Sequence, residues 1–412
     1  MATAASNGSA QDQAAVGILK TPISAPVEGC SPPAKDPLTK EQETKYEWLL
    51  EQVKKWTEVP STKGKGGPLT DAERMWLTRE CLLRYLRATK WNEKDAEKRL
   101  RETLTWRREF GVADLTWDHI SPEQETGKQV ILGFDKEGRV CHYLCPGRQN
   151  TQASHRQVEH LVFMLERVLD LLPAQREKLV LLINFKQGKN RSYTAPSIGQ
   201  AREVLNILQT HYPERLGRAL IVNVPWVVQG FFKLITPFID PLTRDKLKFN
   251  EDMSSYVPKE QLWKEISGGA LEFEYDHSAY WPALRKMCEE RQAEREKRWT
   301  AGGKQIGELE DYLGGKTSHG IKPPAAATTA DAAAAAATAT ATSTAPVVAP
   351  AAAPAAAPAP APAPASSAVA QESASPEKPA VEGAKKEEAG ALSEKQGDKV
   401  EDLKVDELKV AE

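Results

Sequence analysis

Residues 212–246 read YPERLGRALIVNVPWVVQGFFKLITPFIDPLTRDK, a long apolar segment set between two small polar clusters. Nothing from residue 219 to 232 is charged, yet Lys233 and Asp240 arrive before the roughly 18–20 apolar residues that a membrane span needs. The segment is therefore expected to form a buried strand over 219–224, broken at Pro225 and followed by a helix. On that helix Val228, Phe231, Phe232 and Ile235 share one face, and Gln229, Lys233 and Thr236 the other. A face of this kind is either ordinary core or the underside of a lid over a lipid-sized cavity.

Working outward, the 412 residues divide by composition. From Pro323 to about Ala370 the chain is almost wholly Ala, Pro, Thr and Ser, and Lys and Glu then dominate to the end. Such composition buries too little apolar area to offset chain entropy, so 301–412 is expected to be a disordered tail. Residues 1–38 are likewise small and polar, without the basic start and apolar centre of a signal peptide. A net charge of -2 argues against nucleic acid as the main partner. Five scattered cysteines suit reduced thiols better than a disulfide frame. Cys141, His142 and Cys145 lie in a strand-like run that turns His142 away from the two cysteines, so no metal site is expected there.

The region 39–124 reads as helical. Thr39 with Gln42 and Thr70 with Glu73 have capping-box spacing, which starts helices at Lys40 and Asp71. A further helix opens after Asn92, carries Ala96, Leu100 and Leu104 on one stripe, and stops near Gly111. Within 125–300 the period changes. A hairpin is expected over 129–146 with its turn at Lys136-Glu137-Gly138, and then helix, strand (179–185), helix and strand (219–224) alternate. That alternation predicts βαβ crossovers and an α/β fold with a mostly parallel sheet. A short strand at 272–275 and a closing charged helix at 281–299 complete the reading.

Three segments together resemble the CRAL-TRIO lipid-binding family, in its branch of fungal phosphatidylinositol transfer proteins: LLRYLRATKW (82–91), HYPERLGRALIVNVPW (211–226) and PFIDPLTRDK (237–246). VPKEQL (257–262) followed by Gly268-Gly269 is similar to the family's domain ending. PGRQN (146–150) and HLVFMLER (160–167) resemble the subgroup linked to sterol balance and azole resistance. The resemblance spans about residues 70–285. It implies a small N-terminal helical region beside a sheet whose helices enclose a one-lipid cavity, with the helix after Pro225 as the gate. It further implies that Lys90, Glu214, Thr243 and Lys246 hold an inositol phosphate head group. A lysine suits a phosphate, and a carboxylate and a hydroxyl suit a ring rich in hydroxyls. Where family members often carry two basic residues before the aromatic, this chain has Thr89-Lys90. Arg84 and Arg87 read as structural or solvated helix charges. Tyr143, Phe163 and Phe185 are expected to line the cavity, with Val228, Phe231, Phe232, Ile235 and Phe238 forming its gate.

By the same resemblance the chain is not an enzyme, needs no cofactor beyond its bound phospholipid or sterol, and takes phosphatidylinositol with a sterol or phosphatidylcholine as second ligand. It would meet membranes transiently from the cytoplasm, at the endoplasmic reticulum, lipid droplet or cell periphery. The alternative is a lipid-gated adaptor that presents phosphatidylinositol to an inositol lipid kinase. A lipid hydrolase fits worst: no G-x-S-x-G, Walker or H-E-x-x-H motif is present, and the neighbours Asp276, His277 and Ser278 point in different directions.

Overall fold

The structure, a computed structural model, describes residues 18–186, 198–226, 230 and 241–321. All of them lie within the unit Met1–Ala341. Both capping boxes form as the spacing predicts. Helix α1 (Lys40–Lys54) starts where Thr39 and Gln42 satisfy each other's backbone N–H, and α2 (Asp71–Trp76) does the same with Thr70 and Glu73. Helix α3 (Arg79–Ala88) is capped by Thr78, and α4 (Glu93–Phe110) runs from Asn92 to a left-handed Gly111. A two-residue ribbon, β1 (Glu58–Val59) with β2 (Gly67–Pro68), sits between α1 and α2. Leu49, Leu82, Leu86, Leu100 and Leu104 are fully buried in a core that belongs to this helical region.

The second core surrounds a five-stranded sheet. After α5 (Trp117–Gln124), β3 (Gln129–Phe134) and β4 (Val140–Leu144) form the antiparallel hairpin. Then follow α6 (His155–Leu171), β5 (Leu179–Asn184), α7 (Ile198–His211), β6 (Leu216–Val222), the helical turn α8 (Pro241–Arg244) and β7 (Leu247–Phe249). The spatial order is β3-β4-β5-β6-β7, and β4 through β7 are parallel. Because each parallel strand adds on the same side of the last, right-handed crossovers place α6 and α7 on one face. The bond from Gln129 Nε2 on β3 to His160 on α6, at 3.2 Å, fixes α6 to that side.

Register then sorts the side chains. His142, Leu181 and Ala219 form one row facing the helices, and Leu144, Ile183 and Ile221 form the next. Tyr143, Leu182 and Leu220 face the other way, against Met253, Val257, Leu262 and Trp263. The free edge of β3 is covered. Tyr280, on α10 (His277–Ala301), bonds both backbone groups of Ile131, and Gln261 accepts from the Phe134 N–H. The turn α9 (Lys264–Ser267) precedes α10, and α11 (Glu310–Leu313) follows it.

Four expectations change. The strand expected over 219–224 runs instead from Leu216 to Val222 and stops before Asn223, which takes a left-handed φ of 55°. No strand forms at 272–275 among the described residues, where Phe273 makes only an isolated bridge to Leu19. Strand β7 was not anticipated, because three residues next to a polar cluster carry almost no periodic signal. The tails expected to be disordered at 1–38 and 301–412 are both partly folded. Leu19 and Ile23 pack on the sheet core, with the Leu19 N–H bonded to Glu272 O at 3.1 Å. Residues 302–321 return to the helical region: Ile306 joins its core, Leu313 is fully buried, and the Gly307 N–H reaches Leu77 O at 2.7 Å.

Candidate ligand-binding site

Two of the expected head-group residues, Glu214 and Lys246, gather with Lys178 at one end of the sheet. Lys178 stands immediately before β5, Glu214 two residues before β6 and Lys246 immediately before β7, so adjacent parallel strands deliver all three to the same edge. Lys178 Nζ lies 3.8 Å from Glu214 Oε2. Burial holds the Lys178 ammonium below its usual range, with Glu214 opposing that shift and Lys246 and Arg87 adding to it. Lys246 is held through its backbone: its N–H donates to Thr243 O at 3.1 Å and its carbonyl accepts from the Ala219 N–H at 2.9 Å. Thr243 is half-buried on α8.

Lys90 comes from α3. It is exposed and sits with Trp91 in two successive left-handed positions, φ 53° and 63°, just past the helix end. Glu214 is left-handed too, at φ 60°. Non-glycine residues held this way cost about 1–2 kcal/mol each and cluster at functional sites. Thr89 is not a phosphate ligand here, because its hydroxyl lies within bonding distance of the Tyr85, Leu86 and Asn92 carbonyls. Arg84 is structural, as expected: it is buried between Glu177 and Glu310 at 3.2 and 3.1 Å. Arg87 binds Glu177 at 2.9 Å, and Lys35 binds the same carboxylate at 2.6 Å. Burial would raise the Glu177 carboxyl, but Arg84, Arg87 and Lys35 hold it far below the ordinary range. Lys178 was missed by sequence reasoning. Its signal is positional, the residue before a strand beside the Glu214 strand, and no motif marks it.

The helix-facing side of the sheet is apolar and partly uncovered. Leu144, Leu181 and Ile183 are only half-buried, while Ala219 and Ile221 are buried without joining the contiguous core formed by the described residues. Phe185 extends the alternation of Leu181 and Ile183, and its N–H continues the ladder to Val222 O at 3.1 Å. The expected lining residues Tyr143 and Phe163 do not belong to this surface. Tyr143 faces the opposite side, where its hydroxyl accepts from the Trp263 N–H at 3.1 Å and its ring meets Trp263 edge-on. Phe163 is 2% exposed and packed between Trp117 and Trp281. Tyr143 was misassigned because an aromatic residue in an alternating run does not say which face is lined, and Phe163 because a helix turns its successive side chains to different neighbours. His142 does face the helices; it is buried, its Nε2 has no hydrogen-bond partner, and burial depresses its pKa to about 3.

The expected gate residues Val228, Phe231, Phe232, Ile235 and Phe238 lie outside the described residues. At the far end of the strands from Lys178 and Glu214, Trp226 is 78% exposed and Phe249 44% exposed. Among the described residues no helix is long and apolar enough to cross a membrane, and no cluster of three metal-ligating side chains occurs. Asp276, His277 and Ser278 form no triad. Asp276 accepts from the Ser278 N–H and hydroxyl as a helix cap, and His277 pairs instead with Ser121 at 2.8 Å and Tyr275 at 2.9 Å.

This arrangement matches known proteins. Residues 124–268 fit the CRAL/TRIO domain model and residues 45–102 the CRAL/TRIO N-terminal domain model. A Saccharomyces cerevisiae protein named phosphatidylinositol transfer protein PDR17 is 38% identical over 309 residues, covering 70% of this chain and 88% of that one. The chain belongs to the CRAL-TRIO family. A Schizosaccharomyces pombe CRAL-TRIO domain-containing protein, C23B6.04c, is 53% identical over 304 residues, which cover 73% of this chain and 30% of that longer protein. The SEC14 cytosolic factor of Kluyveromyces lactis is 30% identical over 209 residues, 45% of this chain and 69% of that one. The N-terminal match contains Lys90, just past α3, and the CRAL/TRIO match contains Lys178, Glu214 and Lys246 at the starts of β5, β6 and β7.

Proposed function

We propose that this protein binds phosphatidylinositol and carries it between membranes, exchanging it for a second hydrophobic ligand. The observation that carries the reading is the delivery of Lys178, Glu214 and Lys246 to one edge of a sheet whose adjoining face is apolar and half-covered. Lys178, Lys246, Lys90 and Arg87 outweigh Glu214 and Glu177, which suits a phosphodiester. Glu214 and Thr243 suit inositol hydroxyls. Lys90 and Glu214 both sit on left-handed backbone, a local cost of the kind that clusters at functional sites. The name of the 38% identical yeast relative supports the same ligand.

Transfer also needs somewhere dry for the tails. Each methylene moved into water costs about 0.8 kcal/mol, so two chains of about 30 methylenes resist leaving a bilayer by roughly 24 kcal/mol. Only an apolar cavity of comparable quality makes exchange near neutral. Leu144, Leu181, Ile183 and Ile221 are its floor, and exposed Trp226 and Phe249 are the groups that meet the bilayer. For the second ligand, a sterol fits better than phosphatidylcholine. The described floor rows of β4 to β6 carry no charge, and His142, neutral at physiological pH, offers one unpartnered nitrogen suited to a single hydroxyl. The protein then works from the cytosol as a peripheral carrier and catalyses no covalent step.

The test is a vesicle-to-vesicle transfer assay with Glu214→Ala combined with Lys246→Ala. Phosphatidylinositol transfer is lost while the fold and second-ligand binding persist. Normal phosphatidylinositol transfer by the double variant contradicts the head-group assignment, and release of hydrolysed product contradicts the carrier reading.

A further inference from the structure

A cavity of about 490 Å³ lies away from the sheet floor, between the N-terminal helices and the outer side of α6, with α10 and the segment around α11 completing its wall. Its size falls within the range of small-molecule sites, roughly 300–1,000 Å³. Its chemistry is unlike that of a lipid pocket. Six arginines line it against four carboxylates. Three of those arginines are matched: Arg107 binds Glu166 through both nitrogens at 2.7 and 2.9 Å, Arg167 binds Asp170 at 2.8 Å, and Arg84 binds Glu310 at 3.1 Å.

Arg176 has no carboxylate partner among the described residues but donates to the Glu137, Ala174 and Cys30 carbonyls, whereas Arg215 and Arg295 are different. Among the described residues neither has a carboxylate within ion-pairing distance, and the Arg215 guanidinium makes one hydrogen bond, from Nη1 to the Glu177 carbonyl at 2.9 Å. Both face the same carboxylate from farther off. Burial would raise the Glu310 carboxyl, yet Arg84, Arg215 and Arg295 together draw it down to about 2. Burial, with Arg84 beside it, depresses the Arg215 guanidinium to about 10, as for a cation short of counter-charge. Trp76 supplies an aromatic wall, with the Arg107 guanidinium 5.2 Å above its ring.

We propose that this cavity binds a compact, multiply phosphorylated anion, with Arg215 and Arg295 as its main donors. Guanidinium groups present forked N–H pairs that match phosphate oxygens, and a partly desolvated setting strengthens each contact. A lone carboxylate ligand would satisfy one arginine and leave the other short. Acyl chains are excluded by the charge of the walls. The ligand's phosphates could come from a soluble metabolite or from a phosphorylated lipid head group, and the two sources separate experimentally.

The full chain is titrated calorimetrically with inositol hexakisphosphate and with pyrophosphate, and separately with vesicles containing phosphatidylinositol bisphosphate. Saturable binding of a soluble probe, weakened about tenfold or more by Arg295→Gln and by Arg215→Gln and unchanged by Lys246→Ala, supports the site and a soluble source. Binding of the vesicles alone with the same arginine dependence supports the site and a lipid source. Arg295 is only half-buried on α10, so its substitution leaves the fold and phosphatidylinositol transfer intact and remains decisive if Arg215→Gln misfolds. The proposal is overturned if no probe binds saturably, or if binding survives Arg295→Gln and is lost in Lys246→Ala.

Discussion

Lys178 Nζ lies 3.8 Å from Glu214 Oε2, and the two residues stand at the starts of neighbouring parallel strands. The three cations Lys178, Lys246 and Arg87 outnumber the carboxylates of Glu177 and half-buried Glu214, which leaves positive charge uncompensated without a ligand. Lys178→Ala is therefore expected to lower phosphatidylinositol transfer about tenfold, the usual weight of one charge-assisted hydrogen bond to phosphate, while sparing the second ligand. Transfer assays with each labelled lipid check this. Equal loss of both ligands would place Lys178 in the fold rather than in head-group recognition.

The two faces of the sheet predict opposite mutational behaviour. Leu181→Trp adds bulk to the helix-facing floor and is expected to abolish loading of both lipids with little change in stability. Tyr143→Phe, on the other face, leaves loading unchanged. It removes the acceptor of the buried Trp263 N–H and costs about 1–3 kcal/mol in denaturant unfolding. Loading defects in Tyr143→Phe would reverse the assignment of faces.

The backbone was legible wherever local chemistry decides it. Thr39 and Gln42, Thr70 and Glu73, Asn92 and Gly111 each state a helix end in residues a few positions apart, and Gly138 closes the hairpin turn at φ 72°. The chain's membership of its family was legible for a related reason, since the motifs lie at the turns that position Lys90, Glu214 and Lys246. What was not legible depends on distant partners. Tyr143 takes its face from a register shared with β5, and Trp263 is 120 residues away from it. Residues 302–321 look like tail because Gly, Lys and Glu dominate them locally. Their apolar anchors Ile306, Leu309, Tyr312 and Leu313 acquire meaning only once α10 has brought them back to Leu77 and Trp299.

Ending the chain after residue 301 is expected to destabilise it, whereas ending it after 321 is not. The shorter form loses the burial of Ile306, Tyr312 and Leu313 and leaves Arg84 without Glu310. A loss of at least ~2 kcal/mol, the transfer of one buried leucine, is expected in urea unfolding. Matching stabilities for the two truncations would show that the segment merely rests on the surface.

Glu80 gives a pH signature. Burial and the neighbouring Glu310 push its carboxyl up to about 7. A carboxyl raised on folding favours its protonated form, so its contribution is fully present below the unfolded value and is lost as pH rises toward 7. Glu80→Gln keeps an acceptor for the Glu310 N–H, which lies 2.8 Å from the Glu80 carboxylate, and is expected to raise the melting temperature by a few degrees at pH 8 and hardly at all at pH 4. Glu166 and Glu310, both held near 2, act in the opposite sense: their contribution is present above the usual carboxylate range and is lost as pH falls toward 2. A Glu80→Gln gain that is the same at both pH values would contradict the shift.

The central claim is that the helix-facing floor of the sheet bounds a space holding one whole lipid. Native mass spectrometry of the purified protein tests it most directly. The account predicts a population carrying a single phosphatidylinositol or a single sterol, never both, with the phosphatidylinositol form missing from the Glu214→Ala, Lys246→Ala variant. A protein that remains at its bare polypeptide mass after incubation with vesicles of both lipids would contradict it.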